Sequence, residues 1–234
     1  MSGPIDAQRA PRAIVVADGE VPARAALDGA WPGWDGGSPW VVAADAGGIA
    51  ALALGLRPDL VVGDFDSIAP ADLERLRAMG IPLDAHPAEK DESDTELAVR
   101  AALDRGCREV TILGALGGPR VDHALANLWL LALPAAAGRV LVVLDARSRL
   151  RLLSGPGRLE LPGVPGDLVT LLPFDGPAAG VTTEGLAYPL RDESLVSGPS
   201  RGLSNLRTDP KAAVSLRAGR LLIVETHQAE GATS

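Results

Sequence analysis

The sequence predicts an α/β fold, in which an N-terminal, mostly parallel sheet flanked by helices is followed by a smaller all-β sandwich domain. Up to about residue 146, short apolar runs alternate with helical patterns, which is typical of strands joined by crossover helices. After that point, short strand candidates are separated by Gly and Pro without a long helix, as in antiparallel sandwiches. In the first half, five acids follow apolar runs or open helices, as expected where parallel strands end at one sheet edge: Asp45, Asp64, Asp66, Asp94 and Asp122.

The predicted helices and strands of the first half are runs of apolar or helical pattern, separated by glycine, proline and polar residues. Strands are predicted at 13–17, 40–44, 60–62, 109–113 and 139–144. Helices are predicted at 49–56, 70–79, 95–105 and 121–133. Gly55 closes the first of these helices, and Pro58 prevents its continuation. The stretch 28–39, rich in Gly, Pro and Trp, is predicted to be a surface loop.

The second half contains only strand candidates. They are predicted at 150–153, 158–161, 168–173, 180–183, 212–216 and 221–226. The domain boundary therefore falls near residue 147. We predict a disordered lead at 1–12, an α/β domain at 13–147, a β-sandwich domain at 148–227 and a loose tail at 228–234.

Composition narrows the possible partners and the compartment. The 234 residues carry a net charge of -8, which argues against nucleic acid as a partner, because phosphate backbones bind basic surfaces. The single cysteine, Cys107, excludes an internal disulfide and is predicted to be a small buried hydrophobe. No apolar run is long enough to span a membrane, and the N-terminus lacks the apolar core of a signal peptide. The sequence therefore predicts a cytoplasmic protein without a membrane partner.

Residues 63–67 (Gly-Asp-Phe-Asp-Ser) give the sharpest chemical signal. Asp64 and Asp66 can reach one metal ion if the backbone turns between them, and Gly63 permits a close backbone approach. Converging carboxylates repel one another unless a cation lies among them, and oxygen ligands together with substrate phosphates suit magnesium. The alternative is an Asx turn with a helix N-cap at Asp66 or Ser67.

Residues 90–96 (Lys-Asp-Glu-Ser-Asp-Thr-Glu) form a charged cluster at the start of a predicted helix. In the functional interpretation, Asp94 joins the metal site while Lys90 offsets phosphate charge. In the structural interpretation, Ser93 and Glu96 form a capping box at the helix N-terminus. The two interpretations are compatible.

A glycine-rich turn at 114–123 follows a strand and opens a helix. Backbone N–H groups at Gly117 and Gly118 can face a phosphate, and Arg120 can bind phosphate oxygens in a bidentate manner. The turn lacks the Gly-Lys-Ser/Thr of a Walker loop. His123 either caps or packs the helix, or belongs to the site.

Two other polar turns have both a structural and a functional interpretation. Asp45, before Ala-Gly-Gly, is either a helix N-cap or a ligand-binding residue. Ser204 and Asn205, in Gly-Leu-Ser-Asn, are by themselves an ordinary polar turn.

Together and in this order, these segments resemble the thiamine pyrophosphokinase (thiamine diphosphokinase) family over roughly residues 41–224. The resemblance is carried by the motifs described above and by residues 185–190 (Gly-Leu-Ala-Tyr-Pro-Leu). It implies an α/β catalytic domain that binds nucleotide and metal, a thiamine-binding β-sandwich, and a homodimer with sites at the subunit interface. The implied reaction transfers pyrophosphate from ATP to the thiamine hydroxyl, with magnesium, to give thiamine diphosphate and AMP.

The resemblance also implies roles for individual residues. Three acids correspond to the catalytic, magnesium- and phosphate-binding acids of the family: Asp64, Asp66 and Asp94. Asp45 corresponds to a substrate-pocket acid. Nucleotide- and substrate-binding roles are implied for Gly63, Ser67, Lys90, Gly117, Gly118, Arg120, Asp122 and His123, and thiamine contacts for Ser204 and Asn205. Either Asp66 or Asp94 could accept the hydroxyl proton.

The chain departs from the family pattern in three places. Pro119 interrupts the usual Gly-Gly-Arg, and Ser93 stands where Thr is usual. Some members stack a tryptophan near the C-terminus on thiamine, whereas all four tryptophans here lie between residues 31 and 129. Tyr188, the only tyrosine, is a candidate substitute or a packing residue.

Two other functions remain open at this point. One is a pyrophosphokinase that acts on another alcohol, such as a hydroxymethylpterin. The other is a nucleotide-binding regulator without catalytic activity. A structural α/β protein in which all five acids serve only as caps is disfavoured: a cap is credible for each acid singly, but not for five acids at successive strand or helix ends.

Overall fold

The computed structural model describes residues 12–228, and the chain divides into two compact units between Ala146 and Arg147. The predicted lead was wrong at its last residue, because Arg12 begins the first strand. There it forms an ion pair with Glu109 and donates a hydrogen bond to the Gly36 carbonyl. The rest of the predicted lead, 1–11, and the predicted tail from 229 onward lie outside the described residues.

The first unit is a parallel sheet with helices between its strands. In chain order the strands are β1 (Arg12–Val16), β2 (Trp40–Ala44), β3 (Leu60–Gly63), β4 (Leu83–Ala85), β5 (Glu109–Leu113) and β6 (Val140–Leu144). Their order in the sheet is β6-β5-β1-β2-β3-β4, and every neighbouring pair is parallel. The helices are α1 (Arg24–Ala30), α2 (Gly47–Ala53), α3 (Pro70–Ala78), α4 (Asp94–Asp104) and α5 (Val121–Trp129). Two short 3₁₀ turns follow α5, at Leu130–Ala132 and Pro134–Ala136.

The core of the first unit consists mainly of aliphatic side chains, as the low aromatic content requires. Leu27 of α1 and Leu76 of α3 are fully buried against the strands. The prediction of a surface loop at 28–39 was wrong in part, because α1 reaches Ala30 and Trp34 is a core residue. The Trp34 indole N–H donates to Asp28, which satisfies its buried polar atom.

The second unit is a sandwich of two antiparallel sheets, and the predicted fold class is therefore confirmed. Its strands are β7 (Ser148–Ser154), β8 (Gly157–Pro162), β9 (Leu168–Pro173), β10 (Ala178–Glu184), β11 (Glu193–Leu195), β12 (Asn205–Leu206), β13 (Lys211–Leu216) and β14 (Arg220–Thr226). One sheet has the order β12-β9-β14-β7, and the other β11-β10-β13-β8. Both sheets contribute to one aliphatic core, with Leu161, Leu171 and Ile223 among its most buried members.

One buried carboxylate organises the end of this sandwich. Glu225 of β14 is 2% exposed and accepts hydrogen bonds from three guanidinium groups, those of Arg149, Arg151 and Arg207. Burial alone would raise the pKa of Glu225, but the hydrogen bond from Arg149 and the positive charges of the arginines outweigh it, so the pKa is lowered. Arg207, 1% exposed, lies directly against Gly163, where a Cβ would come within 2.8 Å of its guanidinium carbon.

Two further expectations from the sequence concern single features. Cys107 is buried, as expected of a small hydrophobe. Among residues 12–228, no helix combines the length and the apolar composition that crossing a membrane requires.

Candidate active site

The turns that follow the central strands of the first unit bring the predicted acids together. The backbone N–H of Asp45, one residue after β2, donates to Val62 of β3 over 2.9 Å, which ties the two strand ends together. At Gly47, a Cβ would lie 2.2 Å from the Val16 carbonyl oxygen. Only glycine therefore lets α2 begin so close to the end of β1, and this places Asp45 between the ends of β1 and β3.

Three of these acids have the geometry of a metal site. One carboxylate oxygen each from Asp45, Asp64 and Asp66 lies within 4.8 Å of the other two. Asp45 is 3% exposed, and its Oδ1 has no hydrogen-bond partner. A buried carboxylate oxygen without a donor is costly unless a cation binds it. The three oxygens therefore fit a divalent cation that prefers hard ligands, such as magnesium.

The backbone at this point is held in a rarely populated conformation. Asp45 has a φ of 50° and Phe65 a φ of 64°, both in the left-handed region. The Phe65 ring packs against the core, so its flanking carboxylates turn away from the core. Strained backbone of this kind is concentrated at functional sites, where the surrounding structure compensates for it.

Local hydrogen bonds connect the two acids after β3. The Asp66 N–H donates to Asp64 Oδ1 over 3.2 Å, and the Ser67 hydroxyl donates to Asp66 Oδ1 over 3.1 Å. The predicted Asx turn is therefore present together with the carboxylate cluster. The alternative N-cap at Asp66 or Ser67 was wrong, because α3 begins at Pro70 after Ala69.

Asp94 lies beside this cluster and is paired with a lysine. Lys90 Nζ is 3.1 Å from Asp94 Oδ1 and 3.8 Å from Asp64 Oδ2. Lys90 and Asp94 form an ion pair, but their atoms do not have hydrogen-bond geometry. Asp94 Oδ1 therefore remains without a hydrogen-bond partner. The same oxygen lies 3.4 Å from the position that a Cβ on Gly63 would occupy. Of the predicted capping box, the hydrogen bond from the Glu96 N–H to Ser93 Oγ is present, whereas the Glu96 carboxylate pairs with Arg100.

The electrostatics of the cluster reveal an acid that the sequence analysis missed. Burial raises the pKa of Asp45, the nearby Ser67 hydroxyl opposes this rise, and the negative charges of Asp94, Asp64 and Asp66 add to it. The pKa of Asp18 is also raised, first by partial loss of solvation and then by the charges of Asp45, Asp94 and Asp66. Asp18 follows β1 by two residues, and an acid after an apolar run was the signal that could have identified it.

The glycine-rich turn after β5 lies against the turn that contains Asp18. The Gly19 N–H donates to the Gly114 carbonyl over 3.0 Å, and a Cβ on Gly117 would come within 2.8 Å of Glu20 Cβ. Gly117 and Gly118 both have φ values of 76°, which favour glycine. The turn is therefore shaped by close backbone contact, and it lies beside the acid cluster.

Arg120 and Asp122 form a separate, exposed pair at the start of α5. Arg120 donates to both carboxylate oxygens of Asp122, over 3.0 and 2.6 Å. This bidentate hydrogen bond lowers the pKa of Asp122 to about 2. His123 is exposed at the helix start, and its charge would lower the pKa of Asp18.

The two predicted residues of the second unit have different surroundings. Ser204 adopts a φ of 53°, and its backbone N–H donates to Thr170 Oγ1. Asn205 is 6% exposed, and both ends of its amide bind the backbone of Tyr188. The side chain of Tyr188 is 64% exposed, so packing does not explain this residue.

A parallel sheet with clustered carboxylates and a glycine-rich turn at its carboxyl edge is typical of enzymes that bind phosphate groups through a divalent metal. Sequence models identify the family within that class: the thiamin pyrophosphokinase catalytic domain matches residues 34–143, and the thiamin pyrophosphokinase vitamin B1 binding domain matches residues 158–221. The chain belongs to the thiamine pyrophosphokinase family.

Individual relatives agree with this assignment. Thiamine pyrophosphokinase of Bacillus subtilis (strain 168) is 26% identical over 186 residues, which cover 79% of this chain and 86% of that protein. The crystal structure of thiamin pyrophosphokinase from Geobacillus thermodenitrificans is 27% identical with a TM-score of 0.80, covering 94% of this chain and 99% of that one. A thiamin pyrophosphokinase family protein from Enterococcus faecalis is 28% identical with a TM-score of 0.78, covering 93% and 100% of the two chains.

Proposed function

We propose that the protein is a thiamine diphosphokinase, which transfers the pyrophosphoryl group of ATP to the hydroxyl of thiamine and releases AMP. The observation that carries the proposal is the close group of Asp45, Asp64 and Asp66, in which Asp45 is buried and its Oδ1 has no hydrogen-bond partner, in a chain of this family. A structural cluster of caps would not leave that oxygen without a donor. A regulator that only binds nucleotide would not need so many carboxylates beside one another.

Magnesium is the cation that these residues fit best. Asp45, Asp64 and Asp66 would hold it, and when bound it would neutralise charge on the phosphate oxygens of ATP. The N–H groups at Gly117 and Gly118 would face the phosphates, and Arg120 would supply a positive charge once a phosphate competes with Asp122 for its guanidinium. Positioning by these groups accounts for much of the rate in phosphoryl transfer.

In the reaction, the thiamine hydroxyl oxygen attacks the β-phosphorus, the bond from that phosphorus to the α-phosphate oxygen breaks, and AMP leaves. The hydroxyl proton must pass to a base. We assign it to Asp94, because this carboxylate lies outside the three-oxygen group and its Oδ1 has no hydrogen-bond partner. Lys90, 3.1 Å from Asp94, would stabilise negative charge on the phosphates.

The first test is product analysis with purified protein, ATP, magnesium and thiamine, with and without a chelator. We expect AMP and thiamine diphosphate in equal amounts, and neither after chelation. AMP formed only with a different alcohol would instead support another pyrophosphokinase. ATP binding without any turnover, whichever acceptor is offered, would support a regulator.

Two further expectations belong to this proposal. The family resemblance supports a homodimer, so the mass in solution should be twice the chain mass of 24.0 kDa. The cytoplasmic location remains a prediction from the sequence.

A further inference from the structure

One end of the sandwich contains more positive than negative charge. The Glu225 carboxylate accepts four hydrogen bonds of 2.7 to 3.0 Å from three guanidinium groups, those of Arg149, Arg151 and Arg207. Four donors use about all the lone pairs that a carboxylate offers. The other buried acid among residues 147–228, Asp167, is bound by a histidine and two backbone N–H groups instead. Three positive charges therefore face one negative charge, which leaves an excess of two.

Arg207 accounts for one of the three positive charges. It is 1% exposed and Glu225 is 2% exposed, so the two form a buried ion pair whose charges balance each other. The Arg207 guanidinium also donates to the Leu161 carbonyl, so it links the two sheets of the sandwich. The excess charge therefore belongs to Arg149 and Arg151.

Arg149 and Arg151 form the side of the cluster that solvent can reach. Both belong to β7, and because alternate side chains of a strand face the same way, they point with Leu153 toward the inside of the sandwich. Leu153 lies in the core, whereas the side chains of the two arginines remain 21% and 14% exposed. A small ligand could therefore approach the cluster from solvent through these two guanidinium groups.

The protein itself compensates the charge of Arg151 only in part. Both of its hydrogen bonds come from Nη2, to Glu225 and to the Glu160 carbonyl, and its enclosed Nε has no acceptor in the described part of the chain. Partial loss of solvation lowers the pKa of Arg151; the charge of Glu225 opposes this shift, and the two other arginines add to it. A bound anion would relieve this electrostatic cost.

A purely structural role would explain part of the arrangement. Arg149 and Arg151 also donate to the carbonyls of Pro162 and Glu160, so they tie β7 to β8. A neutral donor such as glutamine could make these bonds without the cost of a partly buried charge. Two neighbouring guanidinium groups without a second acid suit the binding of an anion better.

We propose that Arg149 and Arg151 bind a phosphate group at this end of the sandwich. A phosphate monoester carries about −1.5 to −2 charges at pH 7, which matches the excess, and its oxygens fit the forked donors of arginine. Inorganic phosphate and the phosphate groups of a nucleotide share this chemistry. All residues of the site belong to the second unit, so it is additional to the phosphate-binding turn proposed for the first unit.

The test is a titration of the full-length protein without magnesium, followed through the arginine Nε–Hε signals in two-dimensional proton–nitrogen NMR spectra. Inorganic phosphate and AMP are compared with acetate at equal ionic strength. We expect phosphate to shift the Arg149 and Arg151 signals in a saturable way, and acetate to leave them nearly unchanged. Similar affinities for phosphate and AMP would identify the phosphate group alone as the ligand, whereas AMP binding tighter by about tenfold or more would identify a nucleotide.

A variant measures what the charge contributes. Arg151→Gln removes the charge but keeps a side-chain donor for Glu225 and for the Glu160 carbonyl. Calorimetry should show phosphate binding weakened about tenfold or more, as expected for the loss of a charge-assisted hydrogen bond. Arg158→Gln is the matched control, because Arg158 pairs with Glu184 at the surface of the same unit and should leave the phosphate affinity unchanged.

Phosphate bound at the glycine-rich turn of the first unit must be distinguished from this site. Arg120→Gln should therefore keep the phosphate-induced shifts of Arg149 and Arg151. Absent shifts in the wild type, equal shifts with acetate, or wild-type phosphate affinity in Arg151→Gln would overturn the proposal and leave the arginines a structural role only. If Arg151→Gln does not fold, the wild-type titration still decides. None of these results depends on turnover, so they are independent of the proposed function.

Discussion

Asp45 combines three properties that rarely occur together in one carboxylate. It is buried, its φ is positive, and one of its oxygens lacks a donor. Without a cation, its ionised form is destabilised by burial and by neighbouring acids, as the raised pKa indicates. The metal-free protein therefore carries an electrostatic cost at this position that a bound cation would relieve.

Asp45→Asn should separate the electrostatic cost of the buried charge from the stabilisation that a bound cation provides. Asn tolerates a positive φ and removes the charge, so the metal-free variant should be more stable by about 1 kcal/mol, which is a rise in melting temperature of roughly 2–4 °C. The further rise that magnesium produces in the wild type should largely disappear. Thermal melts with and without magnesium measure both.

Asp104→Asn is the matched control for Asp45→Asn, because Asp104 is exposed at the opposite end of α4 from Asp94. It should keep the wild-type response to magnesium. An Asp45→Asn protein that magnesium stabilises as fully as the wild type would contradict the assignment of Asp45 to the metal group.

Asp66→Asn and Asp94→Asn should each lose most turnover while the protein remains folded. Asp66 belongs to the three-oxygen group, and Asp94 is the assigned proton acceptor. The magnesium response of the melting temperature should therefore weaken in Asp66→Asn and persist in Asp94→Asn. Near-normal kcat in both variants would remove these acids from the active site.

At the level of the elements, the glycine-rich turn after β5 depends on a contact that only glycine permits. Gly117→Ala would force a side chain into a φ of 76° and bring its Cβ within 2.8 Å of Glu20 Cβ. We expect the turn to move, and kcat/KM for ATP to fall about tenfold or more, since small displacements of positioning groups are costly.

Gly138→Ala is the control for Gly117→Ala, because it measures the effect of placing alanine at a positive φ without the close contact to Glu20. Gly138 has nearly the same φ, 75°, but open space where the Cβ would stand. It should lower stability by about 1 kcal/mol and leave the kinetics for ATP unchanged. Equal kinetic losses in the two variants would show that the Gly117 turn has no special role.

The strands of the sandwich are joined by a buried ion network that should make its stability depend on pH. The pKa of Glu225 is lowered in the folded state, so its contribution is present above the unfolded pKa of about 4.3 and is lost as the pH falls through the folded value. Glu225→Gln should therefore flatten the acid side of the stability profile. It should also cost about 3–5 kcal/mol near neutral pH, because the buried guanidinium of Arg207 and the partly buried ones of Arg149 and Arg151 lose their shared partner.

Glu184→Gln is the comparison for the network, since Glu184 pairs with Arg158 at the surface, where solvent screens both charges. Urea denaturation between pH 3 and pH 7 should show little change for this variant. A Glu225→Gln protein with the wild-type acid profile would mean that the network does not determine the pH dependence.

At the level of the whole molecule, segments with a clear apolar run were predictable and segments without one were not. β2 and β5 begin and end at the predicted residues, because proline, charged or glycine residues flank them: Pro39 and Asp45 for β2, Arg108 and Gly114 for β5. The elements α1, β4, β11 and β12 were not predicted, because none of them contains a run of apolar or β-branched residues as long as those in β2 and β5, and tertiary contacts determine them. Trp34 does lie in a turn outside the helices and strands, but the prediction that it is at the surface was wrong, because burial of a single ring leaves no pattern in the sequence.

The sequence indicated which residues belong to the candidate site better than it indicated how their side chains are arranged. An acid after an apolar run is visible in the sequence, and Asp45, Asp64 and Asp66 all show it. Which carboxylates approach within 4.8 Å depends on the positive φ of Asp45 and Phe65, and periodicity says nothing about such turns. The clamp of Asn205 on Tyr188 joins residues 17 positions apart through side chain and backbone, and it too required the structure.

The division of the chain has a practical consequence for spectroscopy. The first unit contains all four tryptophans, at positions 31, 34, 40 and 129. The second unit contains no tryptophan, and its aromatic residues are Phe174 and Tyr188. Tryptophan emission therefore reports on the catalytic unit, and the thiamine-domain sandwich could unfold without a direct signal from it. A denaturation curve followed only by that emission would attribute to the entire polypeptide a stability measured on one of its units.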